Sequence, residues 1–131
     1  MTDLYDPELF SVRGRIACVT GASSGLGRAL ATALAEAGAQ VVGVARRAEA
    51  LQAWRDETTG GGATAAITAD LAAPDAMIEV AERIAEPFGA PDILVNAAGI
   101  NMREPADQVT AEGWQTTLDL NLSTPFFLAQ Q

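Results

Sequence analysis

The sequence predicts an α/β fold built on a doubly wound parallel sheet, incomplete at about four strands with flanking helices. Two observations carry this prediction. Short apolar runs alternate with longer stretches whose apolar residues recur at helical spacing. A glycine-rich loop, TGASSGLG at residues 20–27, joins the first such run to the first helical stretch. Strands that alternate with helices form βαβ units, which place parallel strands in one sheet with helices on both faces.

Four strand–helix pairs follow one another along the chain. The predicted strands lie at residues 16–20, 40–45, 63–69 and 92–96, and the predicted helices at residues 24–37, 47 to about 57, 74 to about 88, and 110 to the end. The first strand is a short apolar run, and valines, which favour strands, dominate the second. Gly38 favours the end of the first helix, and Pro74 favours the start of the third. The third strand is rich in alanine, and the fourth reads DILVN.

Two further features are interpreted as structural. Cys18 is the only cysteine, and its neighbours in the first strand are apolar, so we expect a core thiol without a disulfide partner. The glycine triplet at residues 60–62 follows the second helix, and no strand leads into it. We therefore expect the triplet to be a flexible surface turn.

Composition and charge limit the classes of partner. The 131 residues include 17 acidic and 8 basic ones, and the net charge of −9 repels nucleic acid and anionic membrane surfaces. Any phosphate must therefore be bound by local groups. No apolar run reaches the ~18 residues of a membrane span, and the acidic N-terminus MTDLYDPELF lacks the features of a secretion signal. We expect one cytoplasmic domain over residues 1–131, with no membrane or nucleic-acid partner and no metal site.

The glycine loop has the composition of a phosphate-binding loop. The P-loop of ATPases ends in Gly-Lys-Ser/Thr, whereas Arg28 follows Gly27 here and the chain has no lysine. The Gly-x-Gly-x-x-Gly spacing of many dinucleotide-binding loops is not matched either. The loop nevertheless lies between the first strand and the helix that it opens, which is where Rossmann-type sheets bind a pyrophosphate.

The residues of this loop suit a pyrophosphate. Gly21 allows the chain to turn, Gly25 allows the backbone to approach the phosphates, and Gly27 allows the helix to lie close to the strand. The N–H groups and the dipole of the helix N-terminus favour an anion. Ser23 and Ser24 add hydroxyl donors. The loop therefore predicts a Rossmann-type dinucleotide-binding domain.

Four motifs, in this order, resemble those of the short-chain dehydrogenases/reductases. They are the glycine loop, the pair Asp70-Leu71, the segment NAAG at residues 96–99 and the segment WQTTLDLNL at residues 114–122. The resemblance extends from about Val12 to the end of the chain. It implies an oxidoreductase that transfers a hydride between a nicotinamide cofactor and a carbonyl or alcohol.

The resemblance assigns a cofactor site residue by residue. It implies that the pyrophosphate and its ribose lie among Gly21, Ser23, Ser24, Gly25, Leu26 and Gly27, and that the nicotinamide and its ribose lie among Asn96, Ala97, Ala98 and Gly99. Asp70 would bind the adenine with Leu71 beside it, whereas the residues alone leave open that Asp70 caps the helix at Pro74. Ala97 departs from the common NNAG pattern, so whatever the second asparagine side chain does in relatives is absent here.

Residues 45–47 bear on the choice between NAD and NADP. A chain that selects NAD places an acidic residue at the end of the second strand, where it accepts a hydrogen bond from the ribose 2′-hydroxyl. Ala45 occupies that position. Arg46 and Arg47 follow it, and guanidinium groups suit a 2′-phosphate. We therefore predict NADP(H). The alternative is that both arginines are ordinary exposed residues at the start of a helix.

Asn121 is the predicted catalytic residue. The resemblance implies a tetrad of an asparagine, a serine, and a tyrosine and lysine four residues apart, and Asn121 in LDLNL matches the asparagine. The chain has no lysine, and Tyr5 is its single tyrosine. Pro125 has no N–H to donate to the carbonyl of Asn121, so we predict a kink and a free carbonyl, to which the resemblance assigns a water of a proton relay. The alternative is a proline that merely bends a packed helix.

These expectations combine into one hypothesis. The chain is the N-terminal, cofactor-binding half of a longer NADP(H)-dependent reductase, truncated before the catalytic segment, which acts on a carbonyl or secondary alcohol as 3-oxoacyl or sugar-acid reductases do. Alone, it should bind cofactor without turnover, and the resemblance implies a homotetramer for the intact protein. The alternative is a non-catalytic dinucleotide-binding or sensor module. An S-adenosylmethionine-dependent transferase is disfavoured because Arg46 and Arg47 would meet no phosphate.

Overall fold

A computed structural model describes residues 8–131, so Tyr5 lies outside the described residues. The strands β1 to β4 span Ile16–Thr20, Gln40–Ala45, Thr64–Thr68 and Ile93–Asn96. The helices α1 to α5 span Gly25–Glu36, Ala48–Glu57, Met77–Ala85, Ala111–Leu118 and Thr124–Gln130. Single 3-10 turns lie at Pro74–Ala76 and Ala106–Gln108, and a π-helical turn at Asp119–Ser123 joins α4 to α5.

The four strands form one parallel sheet in the order β3-β2-β1-β4. The sheet grows from β1 in one direction through β2 and β3, and in the other direction through β4, so the strand order reverses between β1 and β4. Thr20, the last residue of β1, lies in register with Val44 of β2 and with Asn96 of β4. Ligands of open α/β sheets bind outside the carboxyl ends of the strands at such a reversal.

Helices cover both faces of the sheet, which confirms the predicted doubly wound architecture. On one face α1 and α2 bury apolar side chains against β1 and β2, with Leu51 and Trp54 the largest of them. On the other face α3 and α5 contribute Met77, Ile84 and Leu128 to a second buried cluster. Both clusters are close to fully buried, so the sheet is a rigid platform for the loops at its carboxyl edge.

The last predicted helix, from residue 110 to the end, is divided. It consists of α4, the π-helical turn and α5, and the π-helical turn ends two residues before Pro125. Pro125 cannot donate to the carbonyl four residues earlier, and the turn uses the wider spacing in which Thr124 N donates to Asp119 O. Because α5 begins at Thr124, Pro125 lies in the first turn of that helix, where its missing N–H is tolerated.

The glycine triplet lies at the surface, as predicted, with Gly60 and Gly61 exposed, but part of its backbone also packs against α1. The N–H of Gly62 donates to the carbonyl of Ala35 at 2.8 Å. A Cβ at Gly61 would lie 2.1 Å from the same carbonyl oxygen, and a Cβ at Gly62 would lie 1.7 Å from the carbonyl oxygen of Ala39. Gly61 and Gly62 therefore pack their backbone against the end of α1, where no side chain fits, whereas nothing lies within 4 Å of a Cβ built at Gly60.

Cys18 is a core thiol, as predicted, and only 1% of it is exposed. Burial raises the pKa of this thiol to about 12, since the thiolate would lose its hydration. The unfolded chain ionises the thiol from about pH 8.5, so the free energy of unfolding should fall by up to ~1.4 kcal/mol per pH unit above that value. Urea unfolding of the protein and of Cys18→Ala between pH 8 and 11 checks this. A pH dependence equally steep in both proteins would contradict it.

Candidate functional site

A cavity of about 420 Å³ lies at the carboxyl ends of β1, β2 and β4, at the reversal in strand order. Most of the predicted site residues line it: Gly21, Ser23, Ser24, Leu26, Gly27, Arg46, Arg47, Asp70, Leu71, Ala97, Ala98 and Gly99. Ala45, Ala72, Ile100 and Leu120 complete the lining. Gly25, Asn96 and Asn121 do not line the cavity but lie next in sequence to residues that do. The structure therefore brings residues from five separate segments of the chain to one place.

The glycine loop opens α1 with its backbone turned toward this cavity. Gly21 and Gly25 have φ angles of +72° and +57°, a region that other residues rarely adopt. Nothing lies within 4 Å of a Cβ built at Gly25, so the backbone there faces open space. Ser24 is the N-cap of α1, and its side chain accepts no hydrogen bond from that helix. The first turn therefore leaves N–H groups, a positive dipole end and a hydroxyl for an anion.

Two of the glycines are required by close backbone contacts. A Cβ at Gly27 would lie 2.2 Å from the carbonyl oxygen of Gly21, which explains why α1 can approach the end of β1 only with glycine there. A Cβ at Gly21 would lie 2.8 Å from the N atom of Ala98. The loop after β1 and the loop after β4 are thus in direct backbone contact, and one cavity wall is continuous across them.

Thr20 holds these two loops together, a function that the sequence did not reveal. Its buried hydroxyl accepts hydrogen bonds from the N–H groups of Ala97 and Ala98, both at 3.1 Å. The same hydroxyl lies 3.4 Å from the carbonyl oxygen of Val95, to which it donates. A polar residue at the end of an apolar strand was the available signal, but its partners lie more than 70 residues away and follow only from the strand order.

We expect Thr20→Val to reduce the free energy of unfolding by about 2 kcal/mol, because two backbone N–H groups lose their acceptor while the side-chain volume is nearly kept. Urea unfolding measures the change, and Thr20→Ser, which keeps the hydroxyl, is the matched control. If the valine and serine variants were equally stable, the hydroxyl would not join the two loops.

The two arginines differ in their contacts. Nη2 of Arg47 donates to Oγ of Ser24 at 2.6 Å and lies 3.3 Å from Oγ of Ser23. Arg46 lines the same cavity from the adjacent position, and both arginines are exposed. The interpretation of the pair as ordinary exposed residues therefore misses the contact of Arg47 with the glycine loop.

Asp70 has a local partner and also faces the cavity. Its Oδ1 accepts a hydrogen bond from the N–H of Ala72 at 3.0 Å, so the carboxylate stabilises the turn after β3 rather than capping the helix near Pro74. Asp70 itself remains exposed on the cavity wall. Leu71 is buried, and its carbonyl accepts a hydrogen bond from the hydroxyl of Thr124 at 2.5 Å. The turn is thereby joined to the start of α5.

The side chain of Asn121 is paired with the backbone of Ile100. Its Oδ1 accepts from the N–H of Ile100 at 2.9 Å, and its Nδ2 donates to the carbonyl of Ile100 at 2.8 Å. This pairing fixes the segment that follows Gly99, where a Cβ would lie 3.1 Å from Oδ1 of Asn121. Both polar atoms of the side-chain amide are thus committed to positioning the segment at Ile100.

Residues 8–131 contain neither a cluster of metal ligands nor a helix that could span a membrane. No three histidine, cysteine, aspartate or glutamate side chains of that range come together as ligands for a metal ion. In the same range, none of the helices combines the length and the apolar character needed to cross a bilayer.

Comparison with known proteins identifies relatives of the chain. Residues 15–131 match the family profile described as short chain dehydrogenase. The chain is 38% identical to D-threitol dehydrogenase of Mycolicibacterium smegmatis, over 92% of the chain and 47% of that protein. It is 36% identical to 2-dehydro-3-deoxy-D-gluconate 5-dehydrogenase of Escherichia coli, again over 92% of the chain and 47% of that protein.

A solved structure shows the same fold. The crystal structure of L-sorbose reductase from Gluconobacter frateurii, complexed with NADPH and L-sorbose, matches with a TM-score of 0.86 and 33% identity. The match covers 92% of the chain and 46% of that protein. The chain therefore spans about half the length of the relatives that it matches.

Proposed function

The chain belongs to the short-chain dehydrogenase family, and on that premise we propose that it is the cofactor-binding part of an NADP(H)-dependent oxidoreductase. The reaction transfers a hydride between the nicotinamide and a carbonyl or secondary alcohol. One observation carries the choice of cofactor: the guanidinium of Arg47 is hydrogen-bonded to the serines of the glycine loop, beside Arg46, on the wall of one cavity. The NADPH in the related L-sorbose reductase structure supports this choice.

The residues of the cavity fit a dinucleotide with a 2′-phosphate. Helix α1 begins with a loop whose Gly25 faces open space, so backbone N–H groups can approach the pyrophosphate. The net charge of −9 gives the chain no general attraction for phosphate. Arg46 and Arg47 instead place two positive charges locally at the cavity. Each guanidinium group can bind two phosphate oxygens at once through paired N–H groups. The cavity volume of about 420 Å³ lies within the range of small-molecule sites.

Each segment of the cavity takes one part of the cofactor in this proposal. The pyrophosphate and its ribose lie against Gly21, Ser23, Ser24, Gly25, Leu26 and Gly27; the 2′-phosphate against Arg46 and Arg47; the adenine against Asp70 and Leu71; and the nicotinamide and its ribose against Asn96, Ala97, Ala98 and Gly99. The bound nicotinamide supplies or accepts the hydride. Asn121 holds the segment after Gly99 through Ile100, and its main-chain carbonyl positions a water of the proton relay.

The substrate class and the assembly are part of the proposal. The relatives are named for threitol, a deoxygluconate and sorbose, which are polyhydroxy compounds. We propose a sugar, sugar alcohol or sugar acid as substrate, with a 3-oxoacyl compound as the second candidate. Trp114, Leu122 and Phe126 are each more than half exposed, which supports burial of the last helices in a homotetramer of the intact protein. We place that protein in the cytoplasm.

We expect the 131-residue chain to bind NADPH without oxidising it. Its sequence holds no lysine and no histidine, and no tyrosine is among the proposed site residues, so the proposed site lacks a group that donates a proton near neutral pH. The test mixes the chain with NADPH and L-sorbose and follows both the urea midpoint and the nicotinamide absorbance. A raised midpoint with constant absorbance is the expected result. An unchanged urea midpoint would contradict the binding proposal. Steady oxidation of NADPH would contradict the conclusion that the proposed site lacks a proton donor.

A further inference from the structure

We propose that Ser24 is a specificity-determining positioning residue, whose hydroxyl orients Arg47 toward the 2′-phosphate and so favours NADPH over NADH. This inference rests on the proposed function, because it assumes that the cavity binds a nicotinamide dinucleotide. Ser24 acts through Arg47 and has no contact of its own with the 2′-phosphate.

The contact geometry singles out Ser24. Nη2 of Arg47 lies 2.6 Å from Oγ of Ser24, a short charge-assisted hydrogen bond, and 3.3 Å from Oγ of Ser23. Ser24 is the N-cap of α1, yet its hydroxyl makes no capping bond to that helix. A serine at this position ordinarily accepts from an N–H of the first turn. In this chain, Oγ of Ser24 instead accepts a hydrogen bond from the guanidinium of Arg47.

The same contact joins the two helix starts that border the cavity. Arg47 is the N-cap of α2, and Ser24 is the N-cap of α1, so the hydrogen bond spans the gap between them. Both residues line the cavity. Only Nη2 of the guanidinium is used in the contacts with the serines, and the remaining N–H groups stay available for a phosphate.

Fixing the guanidinium before binding favours the phosphate-bearing cofactor. A free arginine side chain loses many rotamers when it grips a ligand, and a side chain that is already held loses fewer. Arg46 shows the contrast, since within residues 8–131 no hydrogen bond holds its guanidinium, although it lines the same cavity. NADH has no 2′-phosphate, so its affinity should not depend on this arrangement.

The test is equilibrium titration of the full 131-residue chain with NADPH and with NADH. The variants are Ser24→Ala, Ser24→Thr, Arg47→Ala and the double variant Ser24→Ala/Arg47→Ala. We expect Ser24→Ala to raise the Kd for NADPH about tenfold more than it raises the Kd for NADH. Ser24→Thr should restore the affinity, because it keeps the hydroxyl. In the Arg47→Ala background, Ser24→Ala should not change the ratio of the two affinities further.

Other outcomes would overturn the inference. Equal weakening of NADPH and NADH by Ser24→Ala would mean that the hydroxyl contacts a part common to both cofactors. Unchanged or tighter NADPH binding would mean that the hydroxyl does not help Arg47, or that it competes with the phosphate. If Arg47→Ala left the ratio of the two affinities unchanged, the proposed cofactor selection would fail and this inference with it. If Arg47→Ala lowered the preference for NADPH over NADH but Ser24→Ala did not change it, this inference alone would be overturned. Urea unfolding of each variant shows that the fold is kept.

Discussion

Replacement of Gly27 by alanine is expected to destabilise the chain by about 3 kcal/mol and to abolish cofactor binding. Helix propensity alone predicts the opposite sign, since alanine in a helix is favoured over glycine by about 1 kcal/mol. The added Cβ, however, would lie 2.2 Å from the carbonyl oxygen of Gly21. That atom belongs to backbone held between β1 and the loop after β4, so it cannot move aside without displacing the glycine loop. Urea unfolding and NADPH titration measure the two effects.

Gly113→Ala is the matched control for Gly27→Ala. Gly113 also lies in the first turn of a helix, α4, but its nearest neighbours to an added Cβ are the side chains of Thr110 and Met102 at 3.2 and 3.5 Å. We expect a change in the free energy of unfolding below about 1 kcal/mol for this variant. If the alanine at position 27 were tolerated as well as the alanine at position 113, the close packing of α1 on the glycine loop would be refuted.

The combined substitution Ala45→Asp/Arg46→Ala is expected to reverse the cofactor preference. Ala45 ends β2 and lines the cavity, so a carboxylate there would accept from the 2′-hydroxyl of NADH and repel the 2′-phosphate of NADPH. The loss of Arg46 removes one of the two guanidinium groups at this point. Together the changes should weaken NADPH about 100-fold and strengthen NADH. The Kd values from fluorescence titration give both numbers.

Ala45→Asn/Arg46→Ala separates charge from size in this experiment. Ala45 is 6% exposed, so any larger side chain perturbs the end of β2 to a similar extent. The asparagine variant should lose NADPH affinity through the missing arginine but should repel the phosphate less than the aspartate variant. Unaltered relative affinities in the aspartate variant would contradict the assignment of this edge to the 2′-phosphate.

The local sequence pattern predicted the elements that build the site. The four strands occur at the predicted positions, with β3 one residue shorter at each end and β4 one residue shorter at its start. The glycine loop between β1 and α1 could be predicted because a tight turn, a close backbone contact and a helix start each require particular residue types at those positions. The role predicted for Gly27 is borne out by its contact with Gly21. Such constraints act over a few residues, and a sequence shows them directly.

Features that depend on distant partners were not predictable. Thr20 meets Ala97 and Ala98, Arg47 meets the glycine loop, and Asn121 meets Ile100 only because the strand order brings their segments together. Pro125 signalled a break in the last helix, but the form of the break, a π-helical turn, depends on which donors the neighbouring residues offer. The contact of the glycine triplet with α1 was missed for the same reason, since the end of that helix lies more than 20 residues earlier in the chain.

Calorimetric titration of the unaltered chain with NADPH and with NADH tests the central claim most directly. The account predicts one nucleotide bound per chain and a Kd for NADPH at least about tenfold lower than that for NADH, because only NADPH offers a 2′-phosphate to Arg46 and Arg47. Binding that does not distinguish the two nucleotides would contradict the cofactor assignment. The absence of binding by either would contradict the proposal that this cavity is a dinucleotide site.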